Sequence, residues 1–301
     1  MSLELPKGRV KMVLDTDTYN EIDDQFALVY AVIAQDKIDL QAVYAAPFHN
    51  GRCNGAGEGM ELSYQEIIRV LTHLDFPYDS LVYRGSTSFM GPNKQPIESE
   101  ATKHLIELAG KLPEGEFLYV AAIGAITNIA SALLLDPTLK DKIVVVWLGG
   151  HPHYWRHNRE FNLTQDPYSA QVVFDSGVSV VHVPCKNVAE HVKTTIPEMK
   201  TLFGGRGEIG DYLLRIFSEY EYCNDPFGWS KEIWDIATIA WIVNPDMMPS
   251  EITPTPILNA NKDRTWSFDE NRHPYRVCIN ARRDAIFRDF AQRLNTYLGS
   301  N

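Results

Sequence analysis

The sequence predicts an α/β fold: an open, mainly parallel sheet with helices on both faces. Three observations predict it. Apolar residues fall in short continuous runs rather than in alternation, the mark of parallel strands covered on both sides. Strand-like and helix-like segments alternate along the chain. A chain of 301 residues can bury roughly three quarters of its unfolded surface, so core size is no constraint.

Val10 to Leu14 is a short apolar strand, and Gln25 to Ala34 an apolar helix. Ile38 to Ala46 is a second strand and Met60 to Leu74 a helix. Leu81 to Tyr83 and Phe117 to Ala122 are strands, with a helix over Ala101 to Leu112 between them. Asn128 to Leu135 is helical and ends at Asp136-Pro137, where proline disfavours further helix. Lys142 to Leu148 is the strongest strand, because Ile-Val-Val-Val-Trp-Leu is apolar on both faces. Pro167 to Asp175 reads as helix and Val178 to Val183 as strand. The region Asn187 to Trp234 reads as mostly helical, and Trp234 to Val243 as a further helix. Strands around Pro256 and Arg276 and a helix from Asp284 to Leu294 close the chain. No repeat, low-complexity tract or linker-like shift divides it, so residues 1–301 are read as one domain.

Composition narrows the function classes. Lysine and arginine total 28 against 39 acids, a net charge of −11. A chain this acidic lacks the electrostatic footprint of a nucleic-acid binder and repels anionic membranes. No apolar run approaches the roughly 18–20 residues of a membrane span. Met1 to Lys11 has no apolar signal core, so secretion is not expected. Cys53, Cys185, Cys223 and Cys278 form no CxxC pair, which argues against a zinc knuckle or disulfide scaffold and for a reducing cytoplasm.

In open α/β sheets, ligands bind beyond the carboxyl ends of the strands. After the first strand comes Asp15-Thr16-Asp17-Thr18-Tyr19-Asn20-Glu21-Ile22-Asp23-Asp24, five carboxylates within ten residues. Asn20 as a helix cap would place Glu21, Asp23 and Asp24 in a first turn, where acids are favoured. That leaves Asp15 and Asp17 at the strand end unexplained. Two carboxylates about 5 Å apart at an effective dielectric near 20 repel by roughly 3 kcal/mol, so converging acids need protons or a cation. No histidine or cysteine flanks the loop, so an all-oxygen shell and a hard divalent ion are expected. The EF-hand pattern fails, because Tyr19 and Asn20 stand at its third acidic and glycine positions. A phosphohydrolase of the haloacid-dehalogenase type, with Asp15 as nucleophile, is the second reading. Its Asp-x-Asp-x-Thr/Val motif is broken at Tyr19, and no Gly-Asp-x-x-x-Asp motif follows the later strands.

The loop resembles the opening of the nucleoside hydrolases of the inosine-uridine-preferring type, Asp-x-Asp-Pro-Gly-x-Asp-Asp. Gly124-Ala125-Ile126-Thr127-Asn128-Ile129-Ala130 is similar to their Gly-Pro-Leu-Thr-Asn-Ile-Ala. Gly149-Gly150 with Glu160-Phe161-Asn162 and Asp166-Pro167, then Asp235-Ile236-Ala237 with Asn244-Pro245, resemble two further segments of that family in the same order. The resemblance covers roughly residues 10–46, 117–184 and 234–246 and fades across 47–116 and 186–230.

The resemblance implies a Rossmann-like sheet binding one Ca²⁺, with Mg²⁺ less expected, at its carboxyl edge. Carried over, the metal ligands are Asp17, Asp24, Asp235 and the backbone carbonyl of Ile123. Asp23 would hold the ribose 2′-hydroxyl and share the metal, and Asn162 and Glu160 the 3′- and 5′-hydroxyls. Asp15 would lie behind them and orient neighbouring groups. The implied chemistry is cleavage of an N-glycosidic bond through an oxocarbenium-like sugar, with Asp17 as general base toward a metal-activated water.

Departures from the family pattern are local. The aspartate loop is two residues longer and lacks Pro-Gly, and Tyr154 stands where the family has a ribose-contacting Asn. The family's His-Gly-x-x-Gly segment is absent between Gly85 and Glu100, and its Asn after the second strand falls near His49 and Asn50. His151, His153, Trp155, Arg156 and His157 form either an exposed loop or a lid over the sugar, with His151 and His157 as candidate donors to substrate. Trp234 replaces the histidine that acts in many members as leaving-group acid. It reads either as core packing near Trp241 or as a purine stack, as in purine-preferring members, with Trp155 or Trp229 as a second ring.

The expected function is hydrolysis of nucleosides, purines over pyrimidines, or of a related small N-glycoside, by a cytoplasmic enzyme assembling as a homo-oligomer. Neither nucleic acid nor membrane is an expected partner. Hydrolysis of another sugar-containing metabolite on the same cradle, and metal-dependent sugar binding without turnover, remain alternatives.

Overall fold

The computed structural model describes residues 3–299 apart from 224, 226, 227 and 261. The chain runs β1 (Val10–Thr16), α1 (Asp24–Ile33), β2 (Ile38–Ala45), α2 (Ala56–His73), β3 (Val82–Arg84), α3 (Glu100–Gly110), β4 (Leu118–Ala122) and α4 (Thr127–Leu135). It continues through β5 (Ile143–Leu148), α5 (Phe161–Gln165), α6 (Pro167–Asp175), β6 (Ser179–Val183), β7 (Lys193–Thr194), α7 (Ile196–Leu202), α8 (Gly207–Ser218) and β8 (Lys231–Glu232). It ends with α9 (Ile236–Val243), β9 (Ser250–Pro254), β10 (Ile257–Leu258), β11 (Trp266–Ser267), β12 (Pro274–Cys278) and α10 (Arg283–Gly299).

Eight strands form one sheet in the order β3-β2-β1-β4-β5-β6-β12-β9. All neighbours are parallel except β9, which pairs antiparallel with β12 at the edge. The chain builds outward from β1 to β3, then returns to the other side of β1 and builds through β4 and β5. The order therefore reverses between β1 and β4, and the crevice beyond their carboxyl ends is where such sheets bind ligands.

Both faces of the sheet are covered, which explains the unbroken apolar runs. Met12, Leu14, Val144, Val146, Val181 and Val183 face one core, packed by α1, α2, α7, α8, α9 and α10. Val13, Ile143, Val145, Trp147 and Val180 face the other, packed by α3, α4 and α6. Successive residues of a strand point to opposite faces, so every residue of β4, β5 and β6 is buried. Among the described residues, no helix is long and apolar enough to cross a membrane.

Three expectations need correction. Among its described residues, the stretch Asn187 to Trp234 is helical over α7, α8 and one 3-10 turn at Ala189–His191. α7 ends at Leu202, just before Gly204-Gly205, and β7 and β8 form a small antiparallel pair. Asn224, Pro226 and Phe227 in that stretch lie outside the described residues. The strand around Pro256 is two pieces, β9 and β10, because Pro254 and Pro256 carry no N–H for a continuing ladder. Asn20 does not cap α1. Asp23 holds that position, and the Asn20 N–H closes a turn on the Asp17 carbonyl (2.7 Å).

Asp166 locks α6 to α4. Its carboxylate accepts from Ser169 N (3.2 Å) as helix cap, Ser169 Oγ (2.6 Å), Thr127 Oγ1 (2.7 Å) and Met90 N (2.9 Å) in a buried site. Replacing Asp166 by Ala removes the cap and strands buried donors on two elements. Asp166→Ala is expected to lower unfolding free energy by about 2–4 kcal/mol in urea titrations. A loss below about 0.5 kcal/mol, the range of an ordinary surface substitution, would show that water replaces the lock.

Candidate active site

The two segments that meet at the reversal are the loop after β1 and the turn after β4. Asp15 lies opposite Ala122 in the β1–β4 ladder, and Ile123 N donates to the Asp15 carbonyl at 2.8 Å. The turn then passes so close to Asp17 that a Cβ on Gly124 would sit 3.0 Å from the Asp17 Cγ. Glycine is favoured there by proximity to Asp17 and Ala46 rather than by dihedral angle.

Asp23, Asp24 and Asp235 are buried and offer carboxylate oxygens within 4.8 Å of one another. Asp23 and Asp235 occupy the N-cap positions of α1 and α9, where aspartate ordinarily accepts a first-turn N–H. Neither side chain makes that bond; both belong to the carboxylate cluster instead. The two helix N-termini also favour negative charge at this point. Asp24 accepts from Thr16 Oγ1 at 2.5 Å. Asp17 is wholly buried, and both its oxygens lack a hydrogen-bond partner. A buried carboxylate left so is costly unless a proton or cation satisfies it.

The electrostatics say the same. Burial and the charges of Asp24 and Asp23 hold Asp17 well above the usual carboxylate range. Burial and Asp23 raise Asp24 to about 8, and burial raises Asp23 to about 6 against the opposing charge of Lys231. Asp235 is pushed well above its ordinary value by burial and by Asp23, Asp24 and Asp17. These residues fit a hard divalent cation, being an all-oxygen set with unsatisfied lone pairs and mutual repulsion.

Behind them, Asp15 Oδ1 accepts from Asn128 Nδ2 (2.7 Å), and Asn128 Oδ1 accepts from Ser86 N and Oγ (2.8 Å each). Burial lifts Asp15 to about 7.

Above the cluster lies a cavity of about 210 Å³ lined by Asp23, Asp24, Asp235, Ile123, His151, Glu160, Asn162 and Trp234 among others. Glu160 caps α5: its oxygens accept from Gly150 N (2.7 Å), Leu163 N (3.0 Å) and Asn162 N (3.0 Å). Gly150 serves this turn at φ +70°, a conformation that favours glycine. Asn162 Nδ2 donates to the carbonyls of Ile123 and Leu148 (3.0 Å each), tying the ends of β4 and β5 together. Trp234 is half-buried on the cavity wall, whereas Trp241 is wholly enclosed in the core.

The remaining candidates scatter. His151 lines the cavity, and burial, His157 and Lys186 pull it down to about 4, so its ring is neutral at pH 7. The His157 ring packs 5.6 Å from that of His151 and does not line the cavity. His49 is exposed, its N–H donating to Gln165 Oε1, and is outside the cavity too. Asn50 lines an adjoining outer cavity of about 380 Å³ and donates to the carbonyl and side chain of Asn20. Trp155 packs edge-on against His151, and Trp229 packs on Phe217 and Tyr220, so neither is the second cavity ring.

Sequence reasoning missed Phe161, Cys185, Lys186, Asn20 and Glu21 on the cavity wall. The signals existed. Phe161 sits between Glu160 and Asn162, and Cys185-Lys186 follow the carboxyl end of β6. It also missed Lys231, buried with its ammonium 3.0 Å from Glu21 Oε2. Burial pulls this amine down, but Asp23 and Glu21 raise it further, and it stays charged.

Known proteins place this arrangement. Residues 12–288 match the family model described as inosine-uridine preferring nucleoside hydrolase. The probable uridine nucleosidase 2 of Arabidopsis thaliana is 29% identical over 230 residues, 70% of each chain. The non-specific ribonucleoside hydrolase RihC of Shigella flexneri serotype 5b is 27% identical over 259 residues, covering 79% of this chain and 81% of that one. The purine-preferring ribonucleoside hydrolase of Gardnerella vaginalis has the same fold, with TM-score 0.74 at 19% identity over 97% of this chain and 100% of that one. The chain with the aspartate cluster at its sheet reversal therefore belongs to the inosine-uridine preferring nucleoside hydrolases, a metal-dependent family of enzymes that hydrolyse N-glycosyl bonds.

Proposed function

We propose that this chain hydrolyses the N-glycosidic bond of nucleosides, purine nucleosides first, using Ca²⁺ held by Asp17, Asp24, Asp235 and the Ile123 carbonyl. The observation that carries this reading is the set of buried aspartates, two oxygens of Asp17 without a partner, beneath a cavity with Trp234 on its wall. A mixed set of carboxylates and a backbone carbonyl suits calcium better than magnesium, which prefers to keep several waters. When bound, the ion supplies Lewis acidity that lowers the pKa of a water beside it.

The chain's own groups do the rest. Asp17 accepts a proton from the attacking water as general base. The surrounding carboxylates favour the positive charge that develops on the sugar. Asp23 holds the 2′-hydroxyl. Asn162 has committed its amide nitrogen to two carbonyls, which leaves its side-chain oxygen for a sugar hydroxyl. Glu160, fixed by three backbone donors and the Cys185 thiol, lies on the cavity wall facing the place of the 5′-hydroxyl. Trp234 cannot donate a useful proton; its indole, with Phe161 also on the wall, offers a flat apolar surface to a base. The reading with Asp15 as phosphoryl acceptor has less support, because Asp15 Oδ1 is committed to the Asn128 amide.

Incubated with a nucleoside panel, the chain is expected to release reducing sugar with calcium and not with chelator. Base stacking of about 1–3 kcal/mol means that Trp234→Ala should slow inosine hydrolysis roughly 5- to 150-fold. A p-nitrophenyl riboside, whose leaving group needs no protonation, should be affected far less. Equal losses on both substrates would make Trp234 a packing residue.

Elemental analysis should find about one divalent ion per chain, the family's one-metal stoichiometry, and Asp24→Ala or Asp235→Ala should lose it. Unfolded aspartates ionise near pH 4, while the folded Asp23, Asp15 and Asp24 keep protons up to about 6, 7 and 8. The folded chain then binds more protons than the unfolded one, so metal-free stability is greatest below pH 4 for these groups and is lost as pH rises toward 8. Calcium competes with those protons, and its rise in Tm should grow from pH 5 to pH 8. A calcium effect independent of pH would remove the aspartates from the binding step.

A further inference from the structure

Among the described residues, Lys231 is the one lysine or arginine that is fully buried, at 5% exposure. Its Nζ donates to Glu21 Oε2 (3.0 Å) and to the Glu232 carbonyl (3.1 Å). Glu21 also accepts the Tyr220 hydroxyl. Burying an ammonium is costly unless it is paired and hydrogen-bonded. The β7–β8 pair to which Lys231 belongs has its own fastenings, the Lys193–Glu232 ion pair (3.1 Å) and Ile233 N on the Val192 carbonyl (2.8 Å). Lys231 is therefore not needed to close that pair.

Glu21 lies two residues before Asp23, in the loop that is two residues longer than the family pattern. A second cation, Arg52, holds the same loop by its backbone, donating to the carbonyls of Tyr19 (3.2 Å) and Glu21 (3.3 Å). The loop ends at Asp23, whose side chain engages Asp235 in the cluster. Without restraint, a lengthened loop tipped with carboxylates would relax away from Asp235 by repulsion.

We propose that Lys231 is a positioning residue: acting through Glu21, its ammonium holds the lengthened loop so that Asp23 faces Asp24 and Asp235. This rests on reading that cluster as the metal and sugar site. The restraint keeps the carboxylates gathered before a cation arrives, so it acts on metal affinity and on sugar binding together.

The test compares wild type, Lys231→Met, Lys231→Arg, Glu21→Gln and the double variant Glu21→Gln/Lys231→Met. Calcium binding is followed by titration calorimetry, and nucleoside turnover at saturating calcium. Partners behind metal ligands typically matter about 10- to 100-fold, so Lys231→Met should weaken calcium by about tenfold or more and raise KM more than it lowers kcat. Lys231→Arg should restore most of both. Because the lysine acts through Glu21, the double variant should be no worse than Lys231→Met alone. Calcium affinity and KM within about twofold of wild type in Lys231→Met, or losses that multiply in the double variant, would overturn the proposal, since unconnected sites add independently. If Lys231→Met does not fold, Glu21→Gln decides: the same losses support the proposal and wild-type values sink it. A wild type that binds calcium but releases sugar from no nucleoside refutes the proposed function, and calorimetry on the variants still decides the role of Lys231.

Discussion

The site depends on the repulsion among buried carboxylates at one edge of the sheet. Asp17, Asp23, Asp24 and Asp235 arrive from the ends of β1, α1 and α9, and burial together with neighbouring carboxylates holds all four above the usual carboxylate range. Such a cluster opposes folding unless positive charge enters it. The same repulsion is what a bound hard cation would relieve. The rest of the structure can be understood as what keeps these groups together against their own field.

The means are mostly neutral and rigid. The Asp15 carboxylate is fastened to the Asn128 amide, and Asn162 joins the carbonyl ends of β4 and β5. Glu160 spends three bonds on backbone N–H groups and so fixes the turn at Gly150. Two helices present their N-termini, and their cap residues leave the capping bonds unmade to join the cluster. Hydrogen bonds of this kind resist displacement without adding charge. Lys231, through Glu21, is the buried exception, and it stands at the loop where this chain departs from the family pattern.

Much of this was legible in the residues. The unbroken apolar runs of β4, β5 and β6 specify strands covered on both faces, because only a two-sided core tolerates apolar side chains at successive positions. Five acids after a strand, with no local basic partner, demanded a counter-charge whatever the fold. The segments 187–234 and 250–258 were less legible. Their short pairs, β7–β8 and β10–β11, rest on contacts distant in sequence, and two-residue strands carry no period to read.

By itself, then, the sequence determined the alternation of strands and helices, the acid loop and the motif set, since these rest on local pattern and on charge that cannot be left unbalanced. Local pattern does not say which acids converge. Asp23 and Asp235 are 212 positions apart, only the family resemblance grouped them in the sequence, and the tertiary structure is what brings the two helix ends together. It also decided that Trp234 faces the cavity while Trp241 fills the core, that His49 lies outside, and that Lys231 reaches Glu21. The physical reason is the reversal of strand order between β1 and β4: it sets which chain segments share a crevice, and no local pattern encodes that neighbourhood.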